Sequence, residues 1–408
     1  MKNIEKLRMR LGSTLSFVLI SIIAGLVSFA FLPILTRSLN TSEFAEFSKA
    51  LLYVQVATTC SVFGFSAYLT AVFVKADDPS MIRSAMSVWL FLFVAFFGLC
   101  LTLGLVLDLI YEFVALGVFS GLRALHVVGG QAYRIFDAKL VFAIYQIGVP
   151  FVFFILAVIS ACYISDSGLL AFCIASVTYL LISVNTVSLF RRRNWIAGIR
   201  LENFSRSPYA KFAAGASLHA IAGIGITTWD KAYVASALSH EEFAIYVAAA
   251  QYAGGLVLIF TAISQAVVPK IYTLLKNRSE RMLDLLKYLS LVAAVMTILF
   301  LGYELLVGWV FELMMPKSFS GGALVARILG VSAFFQGLYF IPSAIVFYFH
   351  KTISMALITL VCGISGALMG VVLRPTEGLM IGLCAIVVWF FFFLLTSRYA
   401  YKLVRGNH

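Results

Sequence analysis

From Leu11 to Thr36 the chain reads LGSTLSFVLISIIAGLVSFAFLPILT, without a single charged side chain. From Ser84 to Leu107 it reads SAMSVWLFLFVAFFGLCLTLGLVL, again uncharged. A helix rises about 1.5 Å per residue, so about 20 apolar residues cross a hydrocarbon core. Each run is long enough to do so. The composition of the 408 residues agrees: 62% are hydrophobic, only 12% are charged, and mean hydropathy is +1.01. A soluble domain carries about 45–50% apolar and about 25% charged residues. The polar surface that water requires is missing, and lipid is the solvent that fits.

Spans are expected at about 12–36, 44–74, 84–107, 109–132, 140–164, 168–190, 212–238, 243–268, 288–314, 321–349, 352–373 and 378–397. This is an all-α integral membrane fold of twelve transmembrane helices. The basic start, Met1–Arg10, precedes an apolar run too long for a signal peptide, so it reads as an uncleaved first span. Net charge is +12, but the basic residues alternate with spans, as membrane orientation requires, and nucleic acid is not the expected partner. Twelve spans place all but seven of the 30 basic residues on one side. The seven are Arg37, Lys49, Arg123, Lys231, Lys317, Arg327 and Arg374. The positive-inside rule then puts both termini in the cytoplasm.

The most basic connection, 191–211, follows span six and divides the chain into a six-helix lobe, 1–190, a linker and a second lobe, 212–408. Leu39-Asn-Thr-Ser-Glu43-Phe44-Ala45-Glu-Phe47 aligns with Leu238-Ser-His-Glu-Glu242-Phe243-Ala244-Ile-Tyr246 at a constant offset of 199. Both copies fall on the outer side, before an even-numbered span. Six spans per half make this a parallel pseudo-repeat, an arrangement in which transporters hold substrate between the halves.

Charges within spans are costly and mark function or pairing. Arg123 lies near the middle of span four. It is read as a cavity-facing cation; the rival reading pairs it with Glu112, about 16 Å away along the helix axis. On span seven, His219, Gly223, Thr227 and Asp230 share a face, with Lys231 adjoining; cavity lining competes there with snorkelling and packing. Lys49, Arg327 and Glu304 lie in the outer half of the bilayer. Gln55, Gln251, Gln265 and Gln336 read as interhelical hydrogen-bond partners, and Gly366-Ala-Leu-Met-Gly370 as a helix-packing pattern. The six cysteines read as packing residues. Metal-ligand clusters, a nucleophilic triad and a phosphate-cradling glycine loop are all missing from the sequence. No catalytic residue, metal or cofactor is expected, and the chain does not read as an enzyme.

Leu32-Pro33-Ile-Leu-Thr36-Arg37, the paired Leu39…Glu43-Phe44-Ala45 and Leu238…Glu242-Phe243-Ala244-Ile-Tyr246 motifs, Asp230-Lys231-Ala-Tyr233, Gln251, Gln336-Gly337-Leu338-Tyr339 and His350-Lys351-Thr352 together resemble a Wzx-type flippase. That family belongs to the multidrug/oligosaccharidyl-lipid/polysaccharide exporter superfamily. Ala45 and Ala244 depart from the glycine often found there. The resemblance implies translocation of an undecaprenyl-diphosphate-linked oligosaccharide, an O-antigen or related repeat unit, across the bacterial inner membrane by alternating access at a central cavity. Its implied partners are that lipid-linked oligosaccharide, membrane lipids, and the polysaccharide polymerase and chain-length machinery. Arg123, Lys231, Lys49 and Arg327 would form a cationic substrate site, with Asp230 and Glu304 as coupling or cavity acids. The alternative is a cation-coupled multidrug antiporter of the same superfamily. A membrane-embedded O-antigen polymerase or ligase fits less well, because the outer loops are short. Reporter fusions after Asp166, His240 and Thr376 should report the periplasm, and fusions after Asp78, Arg200 and Arg278 the cytoplasm. Reversal at any of the last three breaks the twelve-span topology.

Overall fold

The computed structural model describes residues 2–66, 68–69, 79–195, 208–276, 278–349 and 351–405. Twelve long helices account for nearly all of them, with no strand among the described residues. They are α1 (Lys2–Ser38), α2 (Thr41–Val62), α3 (Pro79–Val106), α4 (Ile110–Ile135), α5 (Lys139–Tyr163) and α6 (Gly168–Arg192). The second half supplies α7 (Pro208–Ala237), α8 (His240–Lys276), α9 (Arg278–Met314), α10 (Gly322–Tyr348), α11 (Thr352–Leu373) and α12 (Gly378–Arg405). Ten are long and apolar enough to cross a membrane. The other two, α2 and α7, are long enough but more polar, carrying Glu43, Glu46 and Lys49, and His219, Asp230 and Lys231. Large apolar side chains lie open on the outer faces, Leu305 and Val106 among them, as a lipid-solvated surface requires.

One expected span is interrupted. In place of a continuous helix over 44–74, α2 stops at Val62, where Phe63 and Gly64 take left-handed φ values of 46° and 66°; Phe65, Ser66, Tyr68 and Leu69 are helical again. Glycine adopts that conformation without steric cost. Residues 70–78 and most of the 191–211 linker lie outside the described residues. Inside α5 a π-turn occupies Ile144–Gly148. Pro150 supplies the reason: it offers no N–H to Gln146, and its ring crowds that carbonyl, so the turn widens. The helix α11 stops where Arg374, at φ 45°, precedes Pro375.

The internal repeat becomes two equivalent helix starts. Asn40 Oδ1 accepts from the Glu43 amide at 2.9 Å and caps α2. At the matching place Ser239 and Glu242 form a reciprocal capping box, at 3.2 Å in each direction, and open α8. The residues that follow are buried in both copies: Phe44, Ala45 and Phe47, and Phe243, Ala244 and Tyr246.

The chain forms two compact units. One comprises 1–24 and 49–224; the other comprises 25–48 and 225–408. The division therefore cuts through α1, α2 and α7 instead of following one break in the sequence. In the first unit Trp89 stacks on Phe65 at 5.1 Å and donates its indole N–H to the Ser61 carbonyl at 3.1 Å. Small residues on α4 admit the phenylalanines of α3; a methyl on Gly121 would meet Phe93 at 2.6 Å.

In the second unit the tip of the α1–α2 hairpin is anchored at several points. Phe44 packs edge-on to Phe319 at 5.7 Å, Arg37 donates to the Leu313 carbonyl at 3.4 Å, and Ser42 meets His240 at 3.5 Å. The Gly366/Gly370 pair receives Trp229 and Tyr233 of α7, whose ring atoms would lie 2.7 and 2.8 Å from added methyl groups. The expected packing role is thus realised as α7 against α11. Gln55 and Gln265, expected as interhelical hydrogen-bond partners, are exposed. Gly366→Leu should destabilise the protein by about 1–3 kcal/mol through overpacking. Gly302→Ala, which meets open space, should be neutral or slightly stabilising. Thermal unfolding in detergent compares the two.

Candidate functional site

The intramembrane charges divide into paired and unpaired groups. In the second unit Asp230 of α7 is 5% exposed. Tyr246 of α8, itself fully buried, donates its hydroxyl to Asp230 Oδ2 at 2.7 Å. Lys231 bends back along α7, with Nζ 3.3 Å from Asp230 Oδ1 and donating to the Thr227 carbonyl at 2.9 Å. The adjacency of Asp230 and Lys231 in sequence gave no sign of Tyr246, which the fold brings from sixteen residues away.

Glu304 of α9 and Arg327 of α10 form the second pair, with Arg327 Nε 3.6 Å from Glu304 Oε2. This contact is long, and Glu304 Oε1 is buried without a hydrogen-bond partner. Tyr303 ties the same two helices together, donating to the Ala326 carbonyl at 2.8 Å.

Arg123 of α4, in the first unit, stands apart. It is half-buried, and no carboxylate among the described residues pairs with it. Glu112 is exposed near the far end of the same helix, so the Glu112 pairing does not form. The Nη1 atom of Arg123 is buried without a hydrogen-bond partner, and the guanidinium sits 5.9 Å from the Tyr179 ring centre. One turn along, His126 stacks on Tyr145 at 5.5 Å and meets Tyr179 edge-on at 5.4 Å. The Tyr145 hydroxyl bonds Thr186 at 2.8 Å and donates to Asn185 Oδ1 at 3.1 Å; Tyr133 donates to the same oxygen at 2.7 Å.

This aromatic and polar cluster joins α4, α5 and α6, with the π-turn of α5 carrying Tyr145. Sequence reading missed it. Its members are uncharged and distant in the chain, and only the Gly129-Gly130 pair hinted at close approach: a methyl on Gly129 would clash with Thr186 and Tyr145. Lys49 on α2 and His219 on α7 are half-buried. On α7 and α8, Gly223, Gly225 and Gly254 face open space. No group of three or more metal-ligating side chains occurs among the described residues.

The fold is similar to those of solved MATE family transporters of the MOP superfamily. The chain is similar to an inward-facing multidrug resistance MATE family transporter of that superfamily (12% identity, 97% of this chain and 100% of that one, TM-score 0.69). It is also similar to the eukaryotic MATE transporter AtDTX14 (14% identity, 96% and 98%, TM-score 0.60). A third similar structure is a MOP superfamily transporter from Pyrococcus furiosus (12% identity, 97% and 96%, TM-score 0.59), described by a reverse polarity of its binding pocket. The sequence matches no protein-family profile and no curated protein.

Replacing Tyr246 by Phe should lower stability by about 1.5–3 kcal/mol, the range for a hydrogen bond to a charged group. Tyr399→Phe, which removes a neutral bond to Ser354, should cost about 0.5–1.5 kcal/mol. Thermal unfolding in one detergent ranks them; equal losses would show that Asp230 gains nothing from Tyr246.

Proposed function

We propose that this chain is a flippase that moves an undecaprenyl-diphosphate-linked oligosaccharide, an O-antigen or related repeat unit, across the bacterial inner membrane. Both termini lie in the cytoplasm, and two six-helix halves alternate access to a central pathway. The observation that carries this reading is Arg123, a guanidinium on an apolar helix with no carboxylate partner among the described residues. Among the described residues Asp230 and Glu304 are each engaged by a cation, whereas no carboxylate offsets the charge of Arg123. Such a site suits an anion. Arginine presents a planar donor fork that matches phosphate oxygens, and burial strengthens the attraction. Lys49, Lys231 and Arg327 would contribute secondary positive charge. Lys231 and Arg327 could act fully only when their acid partners let go. The helices α2 and α7, too polar to face lipid throughout, would line the pathway, and the open glycine faces of α7 and α8 leave room beside it. The reversed pocket polarity of the Pyrococcus furiosus transporter shows that the fold is compatible with more than one charge pattern. The polymerase and chain-length machinery would then act on the delivered unit.

A second reading, a cation-coupled multidrug antiporter, draws on the multidrug MATE structures that share the fold and on Glu304, whose buried Oε1 could take a proton or cation. Gene deletion separates the two. The flippase reading expects loss of surface polysaccharide, with lipid-linked units retained on the cytoplasmic side. Normal polysaccharide with raised sensitivity to cationic drugs, in a strain lacking redundant flippases, would establish the antiporter instead. In complementation normalised to protein abundance, Arg123→Ala should restore little polysaccharide, and Arg123→Lys an intermediate amount, since lysine keeps the charge but not the fork. Full restoration by Arg123→Ala would remove this residue from the site.

A further inference from the structure

A cavity of about 510 Å³ opens along one face of α6, lined by Leu180, Ser183, Val184, Val187, Ser188 and Arg191. The lining is graded. Leu180, Val184 and Val187 form its apolar floor, and Ser188 and Arg191 stand at one end. Ser183 is turned inward, donating to the Tyr179 carbonyl at 2.6 Å and the Leu122 carbonyl at 3.2 Å, so the apolar end offers no free donor. Leu180 to Arg191 spans about 16 Å at 1.5 Å per residue, close to half of a hydrocarbon core about 30 Å thick. The groove therefore has the length of one leaflet, with its cation at headgroup depth. Arg191, Arg192 and Arg193 are consecutive and exposed, and α6 carries no acidic residue. Arg193 is engaged over the Phe136 ring, 4.3 Å from its centre, and Arg191 is the one of the three that lines the groove.

We infer that this groove is a binding site for an anionic phospholipid of the leaflet on the arginine side. The lipid phosphate meets Arg191, the Ser188 hydroxyl takes a headgroup or ester oxygen, and one acyl chain lies along Val187, Val184 and Leu180. A basic pocket among helix ends attracts anionic headgroups by local charge. Here the apolar floor adds selection for a lipid over a soluble anion. The site uses side chains other than those of the Arg123 cluster and holds whether or not the transport reading does.

The test uses the full chain in nanodiscs of phosphatidylcholine alone or mixed with phosphatidylglycerol, and reads melting temperature and the phosphatidylglycerol molecules retained in native mass spectrometry. Phosphatidylglycerol should raise the melting temperature of the unaltered protein. Arg191→Gln should lose about half of that shift or more, as the loss of one headgroup contact predicts. Val184→Trp should lose a comparable share by filling the groove without changing charge. Val184 is 66% exposed and Arg191 is also exposed, so both variants should melt normally in phosphatidylcholine. Arg405→Gln, at the end of α12 against Tyr401, serves as the comparison and should keep the full shift. Equal losses in Arg191→Gln and Arg405→Gln would mean general surface attraction and overturn the site. So would a full shift in Arg191→Gln or in Val184→Trp.

Discussion

Hydrocarbon offers no partner to a backbone amide, a hydroxyl or a charge, and this architecture follows from that constraint. Every spanning segment must close its own backbone hydrogen bonds, so the segments are helices. Several hydroxyls are satisfied within the same turn: Thr58, Ser176, Ser183 and Thr359 all donate to the carbonyl four residues back. Helices approach where small residues allow it. Gly366 and Gly370 admit Trp229 and Tyr233, and Gly121 admits Phe93. With lipid outside and protein inside equally apolar, that packing must hold the bundle without a hydrophobic driving force between helices.

The same constraint gives the ionic groups their meaning. Asp230 is kept in the membrane by Tyr246 and Lys231 together. Breaking a buried pair by removing one member leaves the other charge uncompensated, which makes this arrangement stiff. The Glu304–Arg327 contact is longer and more exposed, and it can exchange partners at lower cost. Arg123 has the aromatic face of Tyr179 for partial compensation. Cation–π attraction is modest beside a full ion pair. The surrounding tyrosines, His126 and Asn185 hold three helices together at that depth, and the π-turn forced by Pro150 brings Tyr145 into line.

The repeat adds a structural device. Two turns, equivalent in sequence, cap α2 and α8 in the same way and bury the same aromatic and alanine positions. Both belong to the second compact unit, although the first is encoded far upstream. The outer part of the α1–α2 hairpin is thus anchored with the C-terminal half of the chain, through Phe44, Arg37 and Ser42, while the remaining parts of α1 and α2 pack with the first unit. Helices divided between two packing environments are natural places for a fold to bend.

The sequence by itself determined the solvent, the helical class, the number and approximate limits of the helices and the repeat. Each of these depends on local composition and period, which the chain displays directly. It also picked out Arg123, because depth within an apolar run can be counted along the chain. It did not reveal the break after Val62, since no strong breaker precedes Gly64 and a left-handed residue leaves little trace in composition. Only the tertiary structure decided which charges are neutralised. Whether Asp230 meets Tyr246, Glu304 meets Arg327, or Arg123 is left without an acid depends on helix rotation and separation. Those are set by side-chain packing between segments distant in the chain, and no local pattern encodes them.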